Sequence, residues 1–313
     1  MARWVQQGAM GAGSAARWRR RGPRGIGAAT MLQTTTPPPS PAVLYVADAS
    51  RPQRLERALE DLATGFARWR LAAALARLDI RNRYRGSVLG PFWLSLSTAI
   101  MVVALGLLYS TLFSLPLREY LPYLAVSLIV WNLVSQTVTD ACDSLTSAEG
   151  VIRQVPLPYT VHALRCVFRN AAVAAHSLPL ILLVFLFFGH LPGPEALLAL
   201  PGLLLVGANA FALALILGMV CARFRDIPPI IGSVLQLAFF MSPVLWKPEL
   251  LGEQQAWLPL NPFYTLMEAV RGPLVEGGAS AAVWLSAIGF TLLSCALAFA
   301  FFVRFRGRIS FWV

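Results

Sequence analysis

Four cysteines and three histidines are the residues of this chain best suited to metal binding or nucleophilic catalysis, and their spacing defeats both. Cys142, Cys166, Cys221 and Cys295 lie far apart, with no CxxC pair and no histidine at ligand spacing, so they read as free thiols and no metal site is expected. His162, His176 and His190 stand apart from one another and from any acidic cluster, so no Ser-His-Asp constellation assembles. Of the 26 cations 25 are arginine, and Lys247 is the sole lysine. A phosphate-gripping Walker loop needs Gly-Lys followed by Ser or Thr; Trp246-Lys247-Pro248 offers nothing of the kind. The expectation is a chain with no catalytic residues and no bound cofactor, unable to hydrolyse ATP alone.

The elements around these residues are those of a membrane protein. The 313 residues are 57% hydrophobic and 13% charged, against roughly 25% charged in a soluble domain. The net charge of +11 would suggest nucleic acid if the arginines formed a soluble patch, but they flank apolar runs. Six such runs approach the roughly 20 residues a bilayer requires: Phe92 to Phe113, Leu121 to Val138, Ala171 to Phe188, Ala196 to Cys221, Ile227 to Trp246 and Ala281 to Val303. His176 is the only titratable Asp, Glu, Lys, Arg or His among them, which argues against a carrier with buried proton or ion ligands. With the N-terminus inside, inner segments hold 23 Lys and Arg and outer segments 3, so both termini are expected to be cytoplasmic.

Residues 1–50 are rich in Arg, Gly, Thr and Pro, without the apolar core of a signal peptide, and are expected to be disordered; Met31 is a second candidate start. Residues 51–90 carry an amphipathic helix, with Leu55, Leu59, Leu62, Phe66 and Trp69 at helical spacing and arginines between. Such a helix either lies in the cytoplasmic interface or packs as a soluble helix on the chain's own cytoplasmic loops. It ends at Arg81, Arg83, Tyr84 and Arg85, where Gly86 and Gly90 allow a turn before Pro91 and the interfacial pair Phe92-Trp93. Between the second and third spans, Gly150-Val151-Ile152-Arg153-Gln154-Val155 stops at Pro156 and reads as a short helix able to dock into another protein, with Val151, Ile152 and Val155 as anchors. In the longest outer connection, Asn261-Pro262 signals a helix start. Phe263, Leu266, Met267 and Val270 form its apolar stripe, with Glu268 and Arg271 pairing on the other side.

Five of these stretches together carry a resemblance: Arg81 to Trp93, Glu149 to Pro158, Arg223-Phe224-Arg225-Asp226 with Pro228, Phe240-Met241-Ser242-Pro243-Val244-Leu245-Trp246, and Asn261 to Pro273. From about Leu55 onward the chain resembles the permease subunit of type-2 ABC exporters, within the branch that exports O-antigen, capsule and teichoic acid. The resemblance implies an all-α protein of the bacterial cytoplasmic membrane, with residues 91–313 forming a multi-pass six-span domain. It implies a homodimer with a channel along its axis, two copies of a separate ABC ATPase using ATP and magnesium, and a lipid-linked polysaccharide substrate; nucleic acid is no partner. By the same resemblance, Val151, Ile152, Arg153, Gln154 and Val155 form the coupling helix that the ATPase receives. Arg81, Arg83, Tyr84, Arg85 and Trp93 form a gate at the channel entrance. Asn261, Pro262, Glu268 and Arg271 belong to a re-entrant outer loop. A sugar chain calls for stacking rings and amides rather than buried charges, which selects Tyr109, Trp131, Asn132, Gln136, Asn209 and Gln236 as channel candidates. Two other readings compete: a type-2 exporter of a small molecule or lipid, and an integral membrane transferase acting on lipid-linked sugars.

Overall fold

The computed structural model describes residues 53–313, in which no strand occurs; the expected disordered extension, 1–50, lies outside them. The amphipathic region is two helices, α1 (Gln53–Ala67) and α2 (Trp69–Arg83), broken at Arg68, where one continuous helix was expected. Small residues decide which face packs. Ala58, Gly65, Ala72 and Ala76 are buried, whereas Leu55, Leu59, Phe66 and Trp69 are about half exposed. A Cβ on Gly65 would sit 2.4 Å from the Thr160 Cβ, so the backbones are in near contact. The large apolar side chains therefore point outward and the small ones inward.

After Gly86 and Gly90, both at positive φ, the chain enters α3 (Phe92–Leu112) and α4 (Leu117–Cys142). A 3₁₀ turn leads to α5 (Glu149–Gln154), followed by α6 (Tyr159–Ala175) and α7 (Leu178–Phe188). Then come α8 (Ala199–Arg223), α9 (Ile227–Met241), α10 (Pro262–Arg271), α11 (Ala281–Phe305) and α12 (Ile309–Trp312). Pro179 explains the break at His176-Ser177, since it lacks the N–H that would bond back to Ala175. His176 is a packing residue there, its Nδ1 2.7 Å from the Ala172 carbonyl oxygen and its ring edge-on to Phe92.

Five helical stretches are long and apolar enough to cross a membrane: Phe92–Leu112, Leu117–Cys142, Tyr159–Phe188, Pro194–Arg223 and Ala281–Trp312. The third of these helical stretches begins at Tyr159, so part of the segment expected between the second and third spans is helix continuous with it. Asp140, Arg165 and Arg169 lie on α4 and α6 outside the apolar runs. One expectation needs correction. The expected fifth span shortens to α9, whose 15 residues extend only about 22 Å. Pro243 forces Ser242 into extended backbone at ψ 144° and the helix stops.

Buried along most of its length, α4 is the centre of the bundle, with α3, α6, α7, α8, α9 and α10 packed around it. The α8 and α10 backbones approach so closely at Gly202 that a Cβ there would sit 2.3 Å from the Ala269 carbonyl oxygen. The outer faces of α3, α8 and α11 present Ile100, Leu107, Leu112, Leu204 and Leu292, as a lipid solvent requires.

Candidate transport path and coupling surface

Between α3, α4, α9 and the α6–α7 break lies a cavity of about 630 Å3. Its polar lining includes Thr98, Asn132, Gln136, Asn170, Gln236 and several serines, and its aromatic lining is Trp131, Phe239 and Phe240; no lining residue is ionisable. The Asn132 amide donates to Thr98 Oγ1 at 3.1 Å and the Gln136 amide to Asp140 Oδ1 at 3.0 Å. Four of the six channel candidates thus converge. Trp131 is mostly buried against Phe239 and Phe263 and offers only part of its ring. Two candidates lie elsewhere. Asn209 bonds Thr291 Oγ1 at 2.7 Å, accepts from Ser294 at 2.7 Å, and lines a separate cavity of about 240 Å3. Tyr109 stacks on Phe113 with ring centroids 5.4 Å apart.

At the arginine-rich end of the bundle the cavity meets a charge network. Asp140 accepts from the amides of Gln136 and Asn170 and pairs with Arg169 at 2.9 Å and Arg83 at 3.4 Å. Arg169 also reaches Asp79 at 3.1 Å, and Asp79 takes a two-pronged bond from Arg165. Partial burial alone would raise the Asp79 carboxyl, but Arg165 and Arg169 hold it below the ordinary carboxylate range. Of the gate candidates, Arg83 joins this network; Arg81, Arg85 and Trp93 are exposed and Tyr84 half-buried.

Asp61 is a residue that sequence reasoning passed over. It is 3% exposed and accepts from the backbone N–H of Tyr159 and Thr160, capping α6 from another helix, and it pairs with Arg306 at 2.8 Å. A lone acid among Ala58, Leu62 and Gly65 on a packing face was the available signal.

In α5 and at its C-cap, Val151 and Val155 are 37% and 45% exposed, while Ile152 packs against a buried cluster of the bundle that includes Ala58 and Val313. Arg153 donates to the Val313 carbonyl oxygen at 2.7 Å and pairs with Glu149 at 2.9 Å; Gln154 is exposed. The outward surface of α5 and its C-cap is accordingly Val151, Arg153, Gln154 and Val155.

The opposite end holds α10. Asn261 caps it, accepting from Phe263 N at 2.9 Å and Tyr264 N at 3.3 Å, with Pro262 in the first turn. Expected on an outward face, the Glu268–Arg271 pair is instead enclosed, at 4% and 0% exposure, because α4, α8 and α11 all pack against α10. Arg271 donates to Ser127 Oγ at 2.9 Å and to the Pro243 carbonyl oxygen at 2.6 Å, pairs with Glu268, and lies 4.1 Å over the Tyr123 ring. Tyr120 and Tyr123 donate to the carbonyl oxygens of Leu245, Pro243 and Trp246. The backbone left open where α9 stops is therefore satisfied by α4 and Arg271.

Glu276 lies 3.9 Å from Arg271 Nε. Burial and the Glu268 charge push its carboxyl up to about 7 against the pull of Arg271. A raised acid favours the folded state when protonated, an advantage complete below its unfolded value near 4.5 and lost as pH rises through about 7. Thermal melting of the wild type is expected to fall from about pH 5 to about pH 7 and level off above it, and that of Glu276→Gln to stay flatter. Parallel curves would refute the assignment.

An all-helical, multi-pass membrane protein with a polar but uncharged cavity and no phosphate-binding loop has the makings of a transport subunit. Residues 70–275 match the family model described as ABC-2 type transporter, and the chain belongs to that family. It is a transport subunit of the inner membrane whose ATPase is a separate subunit. The chain is similar to proteins named "O-antigen export system permease protein RfbA": 28% identical over 213 residues in Myxococcus xanthus, covering 66% of this chain and 80% of the relative. Two relatives from Klebsiella pneumoniae with that name are 22% and 20% identical, each covering 66% of this chain and 81% of their own length.

Proposed function

We propose that this chain is the permease of an exporter that moves a lipid-linked polysaccharide across the bacterial cytoplasmic membrane. The observation that carries this reading is the 630 Å3 cavity walled by amides, hydroxyls and aromatic rings without an ionisable group, a lining suited to a neutral or weakly charged sugar chain. The relatives named for O-antigen export support it. In this reading the chain has six spans, the fifth being α9 completed by the Ser242–Trp246 segment, whose irregular backbone is tolerated because protein encloses it. Both termini are cytoplasmic. Two copies form the channel, their cavities facing a common axis, and two ATPase subunits drive it. The ATPase receives α5 through Val151 and Val155; α1, α2 and the Arg81–Trp93 stretch gate the entrance; α10 is the re-entrant element at the outer end.

Deleting the chain in its host is expected to leave lipid-linked glycan in the cytoplasmic leaflet and none at the surface, with Asn132→Leu/Gln236→Leu giving partial export. Normal surface glycan in the deletion strain would refute the reading.

A further inference from the structure

The arginine-rich end holds a second feature that export does not require. Beyond the end of α8, a cleft of about 250 Å3 is lined by Arg223 and Phe224 on one side and by Phe301, Phe305, Arg308 and Trp312 on the other. Three rings form a ladder, Phe301 to Phe305 at 5.2 Å and Phe305 to Trp312 at 5.8 Å. Arg223 rests 5.6 Å over the Phe224 ring, which is 56% exposed.

The cleft also carries unneutralised charge. Among the described residues Arg223 and Arg308 have no carboxylate within ion-pair distance, unlike Arg83, Arg153, Arg165, Arg169 and Arg306 but like Arg225 and Arg304. Arg225 lies in the turn after α8, beside Asp226, and Arg304 lines a different cleft with Arg54 and Leu55. Two unpaired guanidinium groups over an aromatic cleft make an anion site with an apolar floor.

A third observation concerns shape. Leu293, Leu297 and Phe301 are 55%, 50% and 38% exposed and recur every four residues along α11, so an apolar track leads from the cleft along the span. The cleft is smaller than the roughly 300–1,000 Å3 of pockets that enclose a whole ligand. It suits a headgroup and its first methylenes, with the chain lying on the track.

We infer that this cleft binds an anionic phospholipid of the adjacent leaflet, Arg223 and Arg308 holding the phosphodiester and Leu293, Leu297 and Phe301 carrying an acyl chain. The inference rests on the reading of this end as cytoplasmic only for naming the leaflet. Its test reads lipid binding alone, so it can fail while the export reading stands.

The full chain, purified with its ATPase in mild detergent, is titrated with dioleoyl phosphatidylglycerol or dioleoyl phosphatidylcholine and observed by native mass spectrometry. The wild type is expected to hold phosphatidylglycerol at least about tenfold more tightly than phosphatidylcholine. Arg223→Gln/Arg308→Gln removes the preference, Arg223→Lys/Arg308→Lys keeps most of it, and the charge-matched Arg225→Gln/Arg304→Gln leaves it within about twofold. Equal binding of the two lipids, or a glutamine variant that retains the preference, overturns the inference. Displacement of phosphatidylglycerol by millimolar inorganic phosphate would assign the site to a soluble anion instead. Loss of the ATPase from the glutamine variant, with lipid binding intact, would make the cleft a docking surface for that subunit.

Discussion

Arg271→Leu is expected to abolish recovery of folded protein. The guanidinium is completely enclosed and is paired with Glu268, itself 4% exposed. Removing it strands a carboxylate in the core and leaves the Pro243 carbonyl oxygen without the Arg271 bond. Breaking a buried pair from one side costs about 3–5 kcal/mol, a large share of the roughly 5–15 kcal/mol that holds a typical domain together. Arg271→Lys keeps the charge but cannot serve Ser127, Pro243 and Glu268 with one planar fork, so an intermediate loss is expected. Arg271→Leu/Glu268→Leu removes the stranded charge and is expected to regain a substantial part of the stability. Thermal melts by size-exclusion chromatography in detergent rank the three. A single leucine variant as stable as wild type would mean that the cluster is not the lock it looks like.

Val151→Asp/Val155→Asp is expected to separate the permease from its ATPase without harming the fold. Both side chains are exposed at α5 and contribute little to the bundle. A charge in the centre of an apolar contact removes several kcal/mol of association, enough to lower co-purified ATPase at least about a hundredfold. Ile152→Asp is expected instead to destabilise the permease, because Ile152 packs against the buried cluster that includes Ala58 and Val313. If the valine variant retained its ATPase, the docking surface would lie elsewhere.

The difference between Val151 and Ile152 marks what composition and periodicity can yield. A run of apolar residues in a polar connection announces a contact, but not which side chains turn inward, since that depends on neighbours such as Val313 that are distant in the chain. The start of α3 at Phe92 and the Asn261 cap were legible because they depend on local backbone chemistry: positive φ at Gly86 and Gly90, a side-chain acceptor, a proline in the first turn. The Glu268–Arg271 pairing was legible from its spacing of three; its burial was not, because three other helices create it. The shortening of α9 was foreshadowed by Pro243, although the apolar run carried the expected span past it. Asn209 and Gln236 are both amides on apolar helices, and only the rotation of each helix sends one to Thr291 and the other to the cavity.

The hydroxyls of Tyr120, Tyr123 and Ser127 have a further consequence, for the order in which the chain is made. Their partners come late: the Leu245 carbonyl oxygen is 125 residues beyond Tyr120, and Arg271 is 144 residues beyond Ser127. While a ribosome delivers the protein into the membrane, α4 must wait through five further helices for Leu245 and through a sixth for Arg271. A nascent chain arrested before Pro243 would leave the Tyr120 and Tyr123 hydroxyls without these partners, whereas Ser127, which donates to the Tyr123 carbonyl oxygen at 2.8 Å, would lack only the bond from Arg271.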